Sequence, residues 1–133
     1  MAKKWIKLFL RVALGVTFLS AVADRFGLWN QNVAWGDWDS FTRYTQELLP
    51  WLSSGLVTVA AVIATLAEIV LGVALLIGWK LRLMGTLSGI LLLLFGLAMA
   101  ATLGIKAPLD FSVFSAAAAA FALTTIKVRF LEI

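Results

Sequence analysis

The chain has 133 residues, a formal charge of +4, no cysteine and no histidine. At 62% hydrophobic and 14% charged, with a mean hydropathy of +1.01, it has the composition of a polytopic membrane protein and not of a water-soluble domain. The missing thiols and imidazoles exclude disulfides, thiol redox chemistry, thiolate metal sites and histidine-ligated haem within the chain, so any electron-transfer centre comes from a ligand or a partner. The basic residues sit mainly at the ends of apolar runs, where they read as topology signals, and a nucleic-acid partner is not implied.

The first apolar run predicts a membrane span over about residues 5–26. Met1 to Ala23 imitates a secretory signal, with Ala21-Val22-Ala23 resembling a cleavage site. Arg11 interrupts the apolar region, however, and the expectation is an uncleaved first helix. Lys7, Arg11, Gly15, Phe18, Val22 and Arg25 recur every three or four residues, so they share one face, which is expected to look inward. Residues 27–55 form a polar, tryptophan-rich outer loop of the kind found at a membrane interface. Within it, Asp39 or Ser40 is expected to cap a short interfacial helix ending at Leu49, with Phe41, Tyr44 and Leu48 opposite Arg43 and Glu47. Pro50 ends that helix.

The second span, about residues 56–78, is the one around which the others are arranged. At ~1.5 Å per residue it crosses the ~30 Å hydrocarbon core of a bilayer. Glu68 lies just past its middle, where a carboxylate costs several kcal/mol unless it is neutralised, paired or turned away from lipid. Ala61, Ala64, Thr65 and Gly72 share its face and let another helix come close. Glu68 is expected either to pair with Arg11 or to be a protonated acid bonded to Thr65 or a backbone carbonyl, with proton handling or ligand orientation as the functional alternative. Arg11 lies ~9 Å beyond Trp5 and Glu68 ~16 Å in from Trp79, a gap that an arginine side chain spans, with or without a water.

The connection Gly78-Trp79-Lys80-Leu81-Arg82 is so short that the third span, about residues 83–103, returns antiparallel. Gly85, Gly89, Gly96 and Gly104 predict a small packing side, and Ile90 to Phe95 a lipid side. A fourth span is expected over about residues 111–126, with the run Ala116 to Ala120 pressed against its neighbours. Lys3, Lys4, Lys7, Lys80, Arg82, Lys127 and Arg129 outnumber Arg25, Arg43 and Lys106 on the other side, which by the positive-inside rule places both termini in the cytoplasm. The expected fold is therefore a single all-α domain over residues 1–133, an antiparallel four-helix integral membrane bundle, N-in and C-in. Its setting is a bacterial inner membrane. At the outer surface Asp24, Arg25, Lys106 and Asp110, with Trp29, Trp35 and Trp38 as stacking surfaces, form a candidate rim for an anion or a quinone head group.

The segments Arg11-Val-Ala-Leu-Gly15 with Phe18, Asp24-Arg25-Phe26-Gly27, Ala67-Glu68-x-x-x-Gly72 and Gly104-Ile105-Lys106-Ala107-Pro108, taken in order, resemble the DoxX family of small four-helix membrane proteins. That resemblance implies Arg11, Glu68 and Lys106 as functional positions, with Asp24 and Arg25 following them. It also implies a kinship with DoxD, which looks like a membrane subunit of a thiosulfate:quinone oxidoreductase. Three functions follow: an accessory or assembly component of a membrane complex, a quinone-linked oxidoreductase subunit, or a small-molecule or lipid binder or carrier. The first asks least of a chain with few reactive residues, and catalysis by the chain alone is not expected. No cofactor is firmly implied, quinone being the one that the resemblance admits. The expected partners are membrane lipids and either another membrane protein or a second copy of the chain.

Overall fold

The computed structural model of the chain describes residues 2–133, and among them there is no strand. Six helices follow one another: α1 (Ala2–Arg25), α2 (Trp38–Leu48), α3 (Ser54–Ile77), α4 (Leu81–Leu103), α5 (Lys106–Asp110) and α6 (Val113–Leu123). Three of them, α1, α3 and α4, are long and apolar enough to cross a membrane.

The periodicity of α1 is realised as expected: Lys7, Arg11, Gly15, Phe18, Val22 and Arg25 are all buried. On α3, Ala61, Thr65, Glu68 and Gly72 are buried, while Val59, Ile63, Leu66, Val70 and Val73 face outward as a continuous apolar surface. These two inner faces meet at a close crossing. A methyl group on Gly15 would sit 3.0 Å from the Gly72 carbonyl oxygen, and one on Gly72 would sit 3.2 Å from that of Gly15. Absent side chains thus let the two backbones touch. On α4, Gly85, Gly89 and Gly96 serve α6 in the same way, meeting Thr124, Phe121 and Phe114 in turn, so α6 runs antiparallel to α4. Gly104 does not belong to that packing side. Its φ is 93° and nothing lies within 4 Å of where its Cβ would be, so it terminates α4 and packs against no helix.

The expected fourth span over residues 111–126 is not found as one helix. Ser112 takes a left-handed conformation (φ 56°) and separates α5 from α6. The 11 residues of α6 extend only ~16 Å, about half of a hydrocarbon core. In place of a fourth span there are two short helices, α5 and α6, packed against α4. The cap of α2 also differs from expectation: it is Asp37, whose Oδ1 accepts from the Ser40 N–H at 2.7 Å, and Asp39 lies inside the first turn. Phe41 and Leu48 of α2 are buried as the pattern predicts, and Arg43 and Glu47 are exposed.

Residues 124–133 form a tail that folds back onto the start of α1. Lys7 Nζ donates to Val128 O at 2.9 Å, and Arg11 donates to Phe130 O and Leu131 O, both at 2.8 Å. The first turns of α1 and the tail thus lie at one end of the bundle, and α2 at the other. Gly78, which ends α3 in a left-handed turn (φ 79°), is crossed closely by this tail: a Cβ there would lie 2.7 Å from Glu132 Cα.

The α1–α3 crossing makes a direct prediction. Gly72→Leu forces Leu19 and the α1 backbone aside and lowers stability by about 1–3 kcal/mol, whereas Gly55→Ala, with nothing within 4 Å, does not lower it. Denaturant midpoints in mild detergent would read both.

Candidate functional site

The centre of the bundle holds a buried ion pair between Arg25 of α1 and Glu68 of α3, joined through Nη1 and Oε2. The two residues are 2% and 3% exposed. Arg25 Nη1 also donates to Thr65 Oγ1 at 2.9 Å, and that hydroxyl donates onward to Ala61 O at 2.8 Å, so α3 supplies both acceptors one turn apart. Above the guanidinium lies an aromatic cover. The Phe41 ring centroid of α2 is 3.7 Å from Arg25 Cζ and the Trp35 ring is 5.3 Å away, a cation–π arrangement that shields the charge without neutralising it. Trp35 and Phe41 meet edge to face with centroids 4.9 Å apart.

Asp24 secures the cover. Its carboxylate accepts from the backbone N–H groups of Ala34, Trp35 and Gly36 at 2.7, 2.9 and 2.7 Å, pulling the loop before α2 onto the end of α1. Neighbouring residues of one helix turn therefore divide the work: Asp24 holds the loop and Arg25 reaches inward beneath it.

The expected pair of Arg11 with Glu68 is not formed. Relative to the Gly15–Gly72 crossing, Glu68 is four residues toward the α2 end and Arg11 four residues toward the opposite end, roughly 12 Å apart along the axis. Side chains on a helix lean toward its N-terminus, so on antiparallel helices Arg11 and Glu68 lean apart while Arg25 and Glu68 lean together. Arg11, 1% exposed, instead gives four of its five N–H bonds to carbonyls. Nε and Nη2 donate to Leu75 O and Leu76 O, each at 3.0 Å, and the remaining two bonds go to the tail. The last turn of a helix leaves such carbonyls without intrahelical partners, and a cation is favoured there.

The outer rim assembles only in part. Asp24, Arg25 and Trp35 come together as described. Trp38 stacks on Phe26 with centroids 5.7 Å apart, and Trp29 Nε1 donates to Ser20 O at 3.2 Å. Trp29 and Asp24 do line one shallow cavity of about 460 Å³, with the amides of Asn30, Gln31 and Asn32. Lys106 and Asp110 stand apart as an exposed pair along α5, 2.7 Å between Nζ and Oδ2, their side chains 84% and 53% exposed. Among the described residues no cluster of acidic side chains is placed to hold a metal ion.

A second buried pair escaped the pattern reading. Lys7 Nζ lies 3.0 Å from Glu132 Oε2, both side chains 6% exposed. Burial alone would raise the Glu132 pKa, but the Phe130 N–H and the Lys7 ammonium outweigh it and hold the carboxyl below the usual carboxylate range. The signal available in sequence was a single acid in a tail with two basic residues, opposite a lysine already assigned to an inward face.

Two predictions follow from these pairs. Arg25→Met or Glu68→Met alone leaves a buried charge unpaired and costs about 3–5 kcal/mol, and the double substitution recovers most of that loss. Arg11→Met combined with Glu68→Met is additive; denaturant unfolding of the three single and two double variants measures the coupling. For the tail, a depressed folded pKa means that the Glu132 contribution is fully present above the unfolded glutamate pKa of ~4.3 and fades as pH falls through the lower folded value. Amide protection of residues 126–133, taken relative to the intrinsic exchange rate at each pH, should fall on acidification below ~4.3 and lose that dependence in Glu132→Gln.

Residues 3–112 match the family model described as methylamine utilisation protein MauE. No curated protein and no solved structure matches the chain. The family match overturns the DoxX resemblance, and with it the link to DoxD. The segments that carried the resemblance are an inward arginine, small-residue pairs and a glycine-bounded turn, which in this structure serve helix packing and termination. Because the match runs from the first turn of α1 to the residue before α6, the chain belongs to the MauE family of membrane proteins.

Proposed function

We propose that the protein is an accessory membrane component in methylamine utilisation, a non-catalytic bundle that holds or assembles a partner in a bacterial inner membrane. The observation that carries this reading is the family match over most of the chain. The fate of the buried charged residues supports it. Arg25 with Glu68, Lys7 with Glu132, Arg11 with four carbonyls and Asp24 with three backbone N–H groups are all engaged within the chain. Each is spent on holding a segment in place, and with neither thiol nor imidazole in the sequence, few groups remain for covalent or acid–base work.

The orientation follows from charge. The end of the bundle with the α1 start, the α3–α4 turn and the tail carries Lys3, Lys4, Lys80, Arg82, Lys127 and Arg129 and faces the cytoplasm, leaving α2 and its tryptophans outside. On that outer end Leu28, Trp29 and Trp51 are well exposed beside the polar loop, a mixed surface suited to a membrane-embedded or extracytoplasmic protein partner.

Deleting the gene in its host is expected to abolish or strongly slow growth on methylamine while leaving growth on ammonium unchanged. Native mass spectrometry of the gently extracted protein is expected to show a second membrane protein bound. Normal growth on methylamine together with a chain that always extracts alone would overturn the reading.

A further inference from the structure

The basic end of the bundle carries a groove of about 730 Å³ between the α3–α4 turn and the tail. Six charged side chains line it: Lys7, Lys80, Arg82, Lys127, Arg129 and Glu132. Glu132 answers Lys7, as described. Among the described residues the other four have no carboxylate within ion-pair distance, and Arg129 donates only to Ile133 O at 3.1 Å. Among the described residues, the groove therefore presents Lys80, Arg82 and Lys127 with no balancing carboxylate.

Two further features say what kind of anion fits. The groove lies at the start of α4, where Lys80 provides no side-chain cap, so the first N–H groups of a 23-residue helix point to the same end and favour a negative group. Leading away from it along α4, Leu83, Leu87, Ile90 and Leu94 are all exposed and recur at helical spacing, an apolar track that begins in the groove and continues along the membrane-facing side. Trp79 stands beside the groove, 40% exposed, at the level where interfacial tryptophans sit. Charge at one end of a track and hydrocarbon along it match a molecule with an acidic head and acyl chains.

We propose that this groove binds the headgroup of a net-anionic phospholipid, with Arg82 and Lys127 as its principal cations and the α4 track receiving an acyl chain. Arg82 and Lys127 approach the groove from different segments, the start of α4 and the tail, so a bound headgroup would tie the tail to the α3–α4 turn. The site is independent of the pathway in which the protein works.

Thermal unfolding of the purified chain in a neutral detergent tests it, with added phosphatidylglycerol, phosphatidylcholine of the same acyl chains, or inorganic phosphate at matched concentration. Phosphatidylglycerol is expected to raise the midpoint, and the other two to leave it in place. In the double variant R82Q/K127Q the apparent affinity for phosphatidylglycerol should fall roughly 30-fold, the combined factor for two basic side chains near an anionic lipid. K106Q, at the opposite end of the bundle, should not change it. Equal shifts with both lipids, a shift with inorganic phosphate as large as with phosphatidylglycerol, or undiminished affinity in R82Q/K127Q would each overturn the proposal. The comparison of the two lipids on the unaltered chain needs no variant and decides the matter even if the double variant does not fold.

Discussion

The ion pair between Arg25 and Glu68 is the constraint on which the arrangement of this bundle depends. A carboxylate near the middle of an apolar helix is tolerated only with a partner close by, and here the partner comes from the last turn of α1. That choice fixes the register of α1 against α3 and draws Arg25 away from the bundle end where it would otherwise sit in water. The resulting buried cation then needs a roof, which the rings of Phe41 and Trp35 provide. An 11-residue helix that is too short to span and too polar to insert is held in place by that demand.

The opposite end solves a similar problem differently. Arg11 forms no direct ion pair, although the Glu132 carboxylate lies nearby, and its guanidinium is satisfied by backbone carbonyls from the end of α3 and from the tail. Carbonyl dipoles cancel less charge than a carboxylate does, but they are fixed in place and two of them belong to a helix C-terminus, where positive charge is favoured. The tail gains its attachment from this arrangement and from the pair of Lys7 with Glu132. Two segments outside the three long apolar helices, α2 and the tail, are thus fastened by charged residues of α1.

Much of this was legible in the sequence, because helical spacing alone assigns faces. The inward side of α1, the small face of α3 around Glu68, the apolar side of α2 and the tight α3–α4 turn all follow from residue types at intervals of three or four. Which cation would reach Glu68 was not legible from distance along the helices, since Arg11 and Arg25 bracket it. The lean of side chains toward the helix N-terminus, combined with the small-residue crossing at Gly15 and Gly72, distinguishes them, and it requires knowing which residues cross. The break between α5 and α6 was hidden for another reason. Residues 111–126 are apolar enough to read as continuous, yet the left-handed turn at Ser112 divides them, and serine has no strong sequence signal for that conformation.

The assignment of roles along α1 also explains why its charged residues make poor markers of catalysis. An intramembrane arginine or glutamate is by default a candidate for proton or ligand handling, because its burial is costly. In this chain that cost is offset by attaching segments that hydrophobicity alone would leave loose: α2 through Asp24 and Arg25, and the tail through Lys7 and Arg11. What the bundle offers outward is then the complement of what it uses inside. One end shows tryptophans and a polar loop, the other shows Lys80, Arg82 and Lys127 without a carboxylate partner among the described residues, and the apolar helix faces lie between them. These surfaces are the ones that the proposed accessory role, contact with lipid and with other proteins, would use.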